Sequence, residues 1–262
     1  MPILLQINIT ANWGSTGKIA ESIGLAAKKQ GWESYIAYGR WNNPSQSYLI
    51  KVGNKLDMFI HYGQQRIFDN EGLGSSVPTR KLIKLIKEIK PDLVQLHNLH
   101  DHYLNYHLLF EYLNQTGIKV VWTFHDFWAI TGHCMHFVSI DCDRYKTGCY
   151  DCPMRNVYPK TLFDRSKKNW KLKKHLFIAN NSLTIIPVSE WVGEQVRKSF
   201  LKHKRIQVIP NGIDTSVFKP TFFSDIPVLS PQLLLFQTLT NDKFVIVSVA
   251  FQCKFEKCLD DY

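Results

Sequence analysis

The sequence predicts an α/β protein built on a doubly wound parallel sheet, and three observations carry that prediction. Short apolar runs recur along the chain, segments long enough for a crossover helix separate them, and polar, glycine and histidine residues follow the runs directly. Such alternation is the pattern of a parallel sheet covered by helices on both faces, with its ligand crevice outside the carboxyl ends of the strands.

Taken in order, Ile3 to Ile9 is the first apolar run. Gly17 to Gln30 carries Ile19, Ile23, Ala26 and Ala27 at helical spacing, with Gly31 as its stop, and Glu33 to Tyr38 alternates like a second strand. From Thr79 to Lys90, Leu82, Ile83, Ile86 and Ile89 mark one helical face while lysines take the others, and Pro91 ends the helix. Leu93 to Leu96, Val120 to Phe124, Thr184 to Val188 and Ile206 to Ile209 supply four further strands. No internal repeat or low-complexity tract interrupts them.

At 262 residues and 45% hydrophobic the chain can bury a full core. It contains no apolar run of roughly 18 residues or more, and Met1-Pro2-Ile3 offers no basic segment ahead of its apolar stretch. Neither a spanning helix nor a signal peptide is predicted, and the expected location is cytoplasmic. A net charge of +10 favours an anionic partner such as a sugar nucleotide, a lipid diphosphate or an anionic membrane surface. No recognition signature for nucleic acid accompanies it, so nucleic acid is not an expected partner.

The residues that leave the strands are the candidate site. They are Asn12 to Lys18, Gly39-Arg40, His97-Asn98, His125-Asp126, Ser189-Glu190 and Asn211 to Asp214, and seven of the ten histidines fall between His97 and His136. Turn chemistry alone also favours such residues. The loop Asn12 to Lys18 joins a strand to a helix whose first amides can face an anion. It is not a P-loop, because Asn12 stands where that motif needs glycine and Ile19 where it needs Ser or Thr. A glycine-bearing loop remains, which suits a diphosphate or an ordinary tight turn.

Cys134, Cys142, Cys149 and Cys152 follow the spacing C-x7-C-x6-C-x2-C, with His133 and His136 beside them. Four thiols at this spacing fit a structural zinc site that staples an irregular loop; reduced buried thiols and a redox or disulfide pair are the other readings. Cys253 and Cys258 look unrelated. Two basic clusters, Lys167 to Lys174 around Trp170 and Lys198 to Arg205, suit either contact with an anionic bilayer or a solvated face.

Together, the glycine loop, His97-Asn98-Leu99-His100, His125-Asp126-Phe127-Trp128 with Thr131-Gly132-His133-Cys134, the Gly148-Cys149-x-x-Cys152-Pro153 knuckle, Val188-Ser189-Glu190-Trp191 and Val208 to Asp214 resemble family 4 glycosyltransferases. The likeness is to bacterial members that build capsular, colanic-acid or lipopolysaccharide chains. It implies the GT-B architecture, with an acceptor-binding N-terminal domain and a donor-binding C-terminal domain. It also implies a nucleotide-sugar donor, a glycan or lipid-linked acceptor and no cofactor for the transfer itself. By this resemblance His125 is the catalytic candidate beside the donor sugar. Gly14, Ser15, Gly17, Arg40, His97, Asn98, Asp126, Ser189, Glu190, Asn211 and Lys257 are the candidate donor- or acceptor-binding residues. Peripheral contact with the inner face of the plasma membrane is also expected.

The expected organisation is an acceptor domain over 1–220, a linker over 221–242 and a truncated start of the donor domain over 243–262. Near Lys257 the family's Arg-Lys-Gly-Leu-Asp-Asp run reads Glu256-Lys257-Cys258-Leu259-Asp260-Asp261, which puts an acid where an arginine would pair with a diphosphate. Two functions follow. One is a glycosyltransferase whose donor half comes from a separate chain or is missing; the other is a non-catalytic acceptor-binding or scaffold module.

Overall fold

The computed structural model describes residues 1–217. The chain divides into two compact units, 1–211 and 212–262. The expected linker, the expected start of the donor domain with its Lys257, and Cys253 and Cys258 lie outside the described residues.

Among the described residues seven strands form one wholly parallel sheet: β1 (Ile3–Asn8), β2 (Glu33–Tyr38), β3 (Tyr48–Lys51), β4 (Leu93–Leu96), β5 (Lys119–Phe124), β6 (Leu183–Pro187) and β7 (Arg205–Ile206). Their order across the sheet is β3-β2-β1-β4-β5-β6-β7. The winding reverses between β1 and β4, and the crevice of an open α/β sheet lies at such a reversal, outside the carboxyl ends.

Among the described residues six α-helices connect the strands: α1 (Gly14–Lys29), α2 (Lys55–Phe68), α3 (Ser76–Ile89), α4 (Tyr106–Thr116), α5 (Ser166–Ala179) and α6 (Glu190–Arg197). Strand alternation sends Leu5 and Ile7 of β1 toward Leu82 and Ile86 of α3 and Phe110 of α4, within the main core. Gln6 and Asn8 point the other way, toward α1. That helix lies close on the sheet because it presents Gly17, Ala20 and Gly24. A Cβ on Gly24 would stand 2.5 Å from Ser47 Oγ and 2.7 Å from Ser34 Oγ. Asn54 caps α2 through a reciprocal box with Asp57, and Ser189 caps α6 by accepting from Val192 N at 3.2 Å.

Four elements were not assigned from the sequence: β3, α2, α4 and α5. β3 is a four-residue edge strand; α2 turns Leu56, Phe59 and Ile60 to solvent, at 65%, 71% and 50% exposure, so its apolar residues do not trace one buried stripe. α4 fills the crossover between β4 and β5.

α5 corrects the reading of the first basic cluster. Trp170 is buried and its Nε1 donates to Tyr145 O at 3.0 Å, while Lys173 is buried with Nζ donating to Trp128 O at 2.6 Å and Thr131 O at 3.2 Å. Burial pushes the Lys173 ammonium down to about 7. The helix turns inward because Trp170, Lys173, Leu176 and Phe177 share one face, and the two loop carbonyls supply what the ammonium loses in leaving water. Neither Trp170 nor Lys173 belongs to a membrane-facing surface; Lys167, Lys168, Lys171 and Lys174 remain exposed.

Candidate active site

β1, β4 and β5 end side by side, and each contributes polar side chains where the winding reverses. On the α1 side of the sheet, alternation aligns Gln6 and Asn8 from β1, Gln95 and His97 from β4, and Thr123 and His125 from β5. A buried polar seam results, and its groups satisfy one another as burial demands. Gln6 Nε2 donates to Ala20 O of α1 at 2.7 Å, and Gln6 Oε1 lies 3.1 Å from His97 Nε2. His97 Nδ1 lies 3.0 Å from His125 Nε2, with the two rings stacked at 5.3 Å between centroids. Gln95 Nε2 donates to Thr123 Oγ1 at 3.0 Å.

Asn8 joins this seam to the glycine loop. Its Nδ2 donates to Thr10 O at 2.9 Å and to Thr16 Oγ1 at 3.3 Å, and its Oδ1 accepts from Asn98 N at 3.3 Å. Gly14 opens α1 with φ of +63°, a left-handed conformation that favours glycine. Gly17 allows close approach, since a Cβ there would meet Thr10 Oγ1 at 2.6 Å. Gly14 and Ser15 are exposed at the helix N-terminus.

A second, charged network begins at Asp126. His100 sits between two carboxylates, 2.7 Å from Asp126 Oδ2 and 3.4 Å from Asp101 Oδ2. Burial works against its charge, but the carboxylates hold its pKa well above the ordinary histidine value, while His100 in turn holds Asp126 and Asp101 low. Tyr158 donates to Asp101. Asp101 and His102 both adopt positive φ, at +75° and +69°, a strained pair of the kind that gathers at functional sites. Buried Glu71 holds that turn: Oε1 accepts from Asp101 N at 2.7 Å and His102 N at 3.2 Å, and Oε2 pairs with His102 Nε2 at 2.8 Å. Arg40 Nη2 lies 3.3 Å from His102 Nδ1.

His97 and His125 differ from His100 in kind. Burial lowers His97 to about 3, with neighbouring His125 adding to the effect, and burial lowers His125 to about 4 despite Asp126. The crevice thus sets two neutral imidazoles beside one imidazolium buttressed by carboxylates. Neutral rings exchange hydrogen bonds with hydroxyl groups, while a fixed positive charge behind them favours developing negative charge.

Of the sequence-predicted residues, the hydrogen-bond networks bring together the glycine loop, His97, Asn98, His125 and Asp126, and through Asp101 and His102 they reach Arg40. Ser189 and Glu190 are engaged elsewhere, as the cap of α6 and in an exposed 3.7 Å pair with Arg197, and Asn211 is exposed after β7. Gln6, Asn8, Glu71, Asp101 and Tyr158 were not singled out by sequence. The legible signal was the interruption of the run Ile3 to Ile9 by two amides, which a strand buried on both faces does not need for packing.

The four loop cysteines are free thiols. Together with His133 they line one small cavity, and Gly132 N donates to Cys149 Sγ at 3.2 Å. His133 Nδ1 is held at 2.5 Å by buried Asp69, and its buried Nε2 has no hydrogen-bond partner. Among the described residues, no three His, Cys, Asp or Glu side chains stand in a metal-holding arrangement. Nor is any described helix long and apolar enough to cross a membrane.

Comparison with known proteins gives three findings. A glycosyl transferase of Escherichia coli (strain K12) named for colanic acid biosynthesis, WcaC, is 26% identical over 238 residues, covering 86% of this chain and 57% of its own length. The chain thus spans little more than half of that curated relative. A solved structure described as trehalose-6-phosphate from E. coli bound with UDP-2-fluoro glucose covers 90% of this chain and 54% of its own, at 10% identity and a TM-score of 0.46. The family model for Glycosyltransferase Family 4 matches residues 17–217, and the chain belongs to that family.

Proposed function

We propose that this chain is the acceptor-binding half of a glycosyltransferase of bacterial surface polysaccharide synthesis. Its reaction moves a sugar from a nucleotide-sugar donor to a glycan or lipid-linked acceptor. The observation that supports it most directly is the pairing of neutral His125 with the Asp126–His100–Asp101 network at the reversal of a parallel sheet. His125 contacts the reacting sugar through a hydroxyl, the exposed amides of the glycine loop meet the diphosphate, Arg40 faces the acceptor, and His97 supports His125 from behind. A donor-binding half completes the GT-B architecture.

Transfer of labelled sugar from a panel of nucleotide sugars to lipid-linked acceptors in anionic vesicles tests this, with the chain alone and with a donor-half polypeptide added. Turnover and co-sedimentation with vesicles are expected. Calorimetry that finds saccharide binding without turnover in either mixture would instead establish the non-catalytic acceptor module.

The cysteine loop carries a separate proposal, a structural zinc. Its support is a donor set of four thiols and a buried, unpartnered imidazole nitrogen around one cavity, with Asp69 placed behind the imidazole as carboxylates stand behind zinc-bound histidines. Ligation requires the side chains to close inward from the arrangement described. Metal analysis of the purified protein should find about one zinc per chain, and a content far below one removes the site.

A further inference from the structure

The polar seam determines more than the position of His125. A hydrogen bond has a direction, and a chain of them anchored at one end by a group that can only accept has every direction fixed. Here the anchor is the backbone carbonyl of Ala20 in α1. Gln6 lies 2.7 Å from that oxygen, so the amide must turn its NH2 toward it and its Oε1 toward His97. Gln6 Oε1 is a pure acceptor, and His97 must therefore carry its hydrogen on Nε2, 3.1 Å away. A neutral ring with Nε2–H has a bare Nδ1. His125 Nε2, 3.0 Å from it, must then be the donor. The remaining nitrogen, Nδ1 of His125, is left with a lone pair and makes no hydrogen bond among the described residues.

We propose that Gln6 and His97 are positioning residues that hold His125 as the Nε2–H tautomer, so that its Nδ1 offers a hydroxyl-bearing ligand an acceptor and never a donor. The identity of the ligand as a saccharide rests on the functional reading above; the tautomer does not.

The relay requires His97 to be neutral, since a doubly protonated ring would reverse the His97–His125 bond. Full burial without a carboxylate partner keeps it so, and its depressed pKa agrees. The chemical consequence is selectivity. A bare imidazole nitrogen accepts from a sugar hydroxyl and repels the lone pairs of a phosphate oxygen. His125 thus reads the sugar and leaves the diphosphate to other groups.

Long-range 1H–15N spectra of the full chain labelled with 15N-histidine test this, with His125 identified by its loss in His125→Gln. The expected wild-type signature at pH 7 is a protonated Nε2 and a bare Nδ1; a protonated Nδ1 on His125 overturns the proposal. Gln6→Met and His97→Phe each break the relay at one link and should turn the single tautomer into a mixture. A pure Nε2–H form that persists in a folded variant shows that the relay does not set it. Should both variants fail to fold, the wild-type spectrum still decides. Adding free glucose, galactose or mannose should shift Nδ1 of His125; a correct tautomer that responds to none of them counts against the saccharide reading alone.

Discussion

Replacing His125 with alanine should lower the rate of sugar transfer by about 10²- to 10³-fold, the usual loss when a group that stabilises charge in the transition state is removed. On the proposed function the loss should fall mainly on kcat, because the ring would be one of several contacts to substrate but is the one placed beside Asp126 and His100. Stability should change far less, since His125 is only half-buried and its one protein hydrogen bond is to His97. The pH profile adds a second signature. If the neutral ring is the working form, its acid limb should appear near the folded value of about 4 and not near 6.5. The sign for stability runs the same way. With His97 and His125 both held below the ordinary histidine value, the unfolded chain binds the extra protons, so both contribute stability that is lost as pH falls from about 6.5 through 4 and 3. A His125→Ala rate within about twofold of wild type would remove His125 from the chemistry.

The parallel sheet was legible because its strands are buried on both faces and read as uninterrupted apolar runs such as Val120-Val121-Trp122, with His125 and Asp126 emerging together. β3 and α2 were not, because Tyr48 on an edge strand and Phe59 on an exposed helical face are placed by neighbours and not by periodicity. The site divides in the same way. Residues at strand ends could be named one by one, but Gln6 meets His97 across 91 residues and Tyr158 meets Asp101 across 57, and no local pattern announces such pairs. Nor does one announce that Glu71 holds the strained Asp101–His102 turn. Lys173 shows the converse: a lysine within a lysine-rich stretch reads as solvated until α5 is seen to turn it under Trp128. Ser189 follows β6 as His125 follows β5, yet its hydroxyl caps α6, a use the residue type had equally suggested.

Asp69→Ala should be the most destabilising single change among the residues that anchor the cysteine-bearing segment, at roughly 3–5 kcal/mol, the range for removing one partner of a buried pair. Asp69 is 1% exposed and ends α2 in a left-handed conformation. Its Oδ1 holds His133 Nδ1 at 2.5 Å, its Oδ2 accepts from Arg165 N at 3.0 Å, and its backbone carbonyl accepts from Asn169 Nδ2 at 2.6 Å. These contacts span 64, 96 and 100 residues. One side chain and its carbonyl therefore tie the end of α2 to both ends of the long segment between β5 and α5, whose only regular structure is two 3-10 turns at Val138–Ile140 and Arg144–Lys146. Without the carboxylate, His133 and the Arg165 amide lose their partners in a place water does not reach, and the segment loses its anchor before it loses any apolar contact. Asp69→Asn keeps an acceptor for one of the two donors and should cost less, about 1–3 kcal/mol. Urea denaturation of the three proteins orders them: wild type, then Asn, then Ala. Equal midpoints for Ala and wild type would show that apolar packing around Phe137, Tyr145 and Trp170 holds the segment on its own.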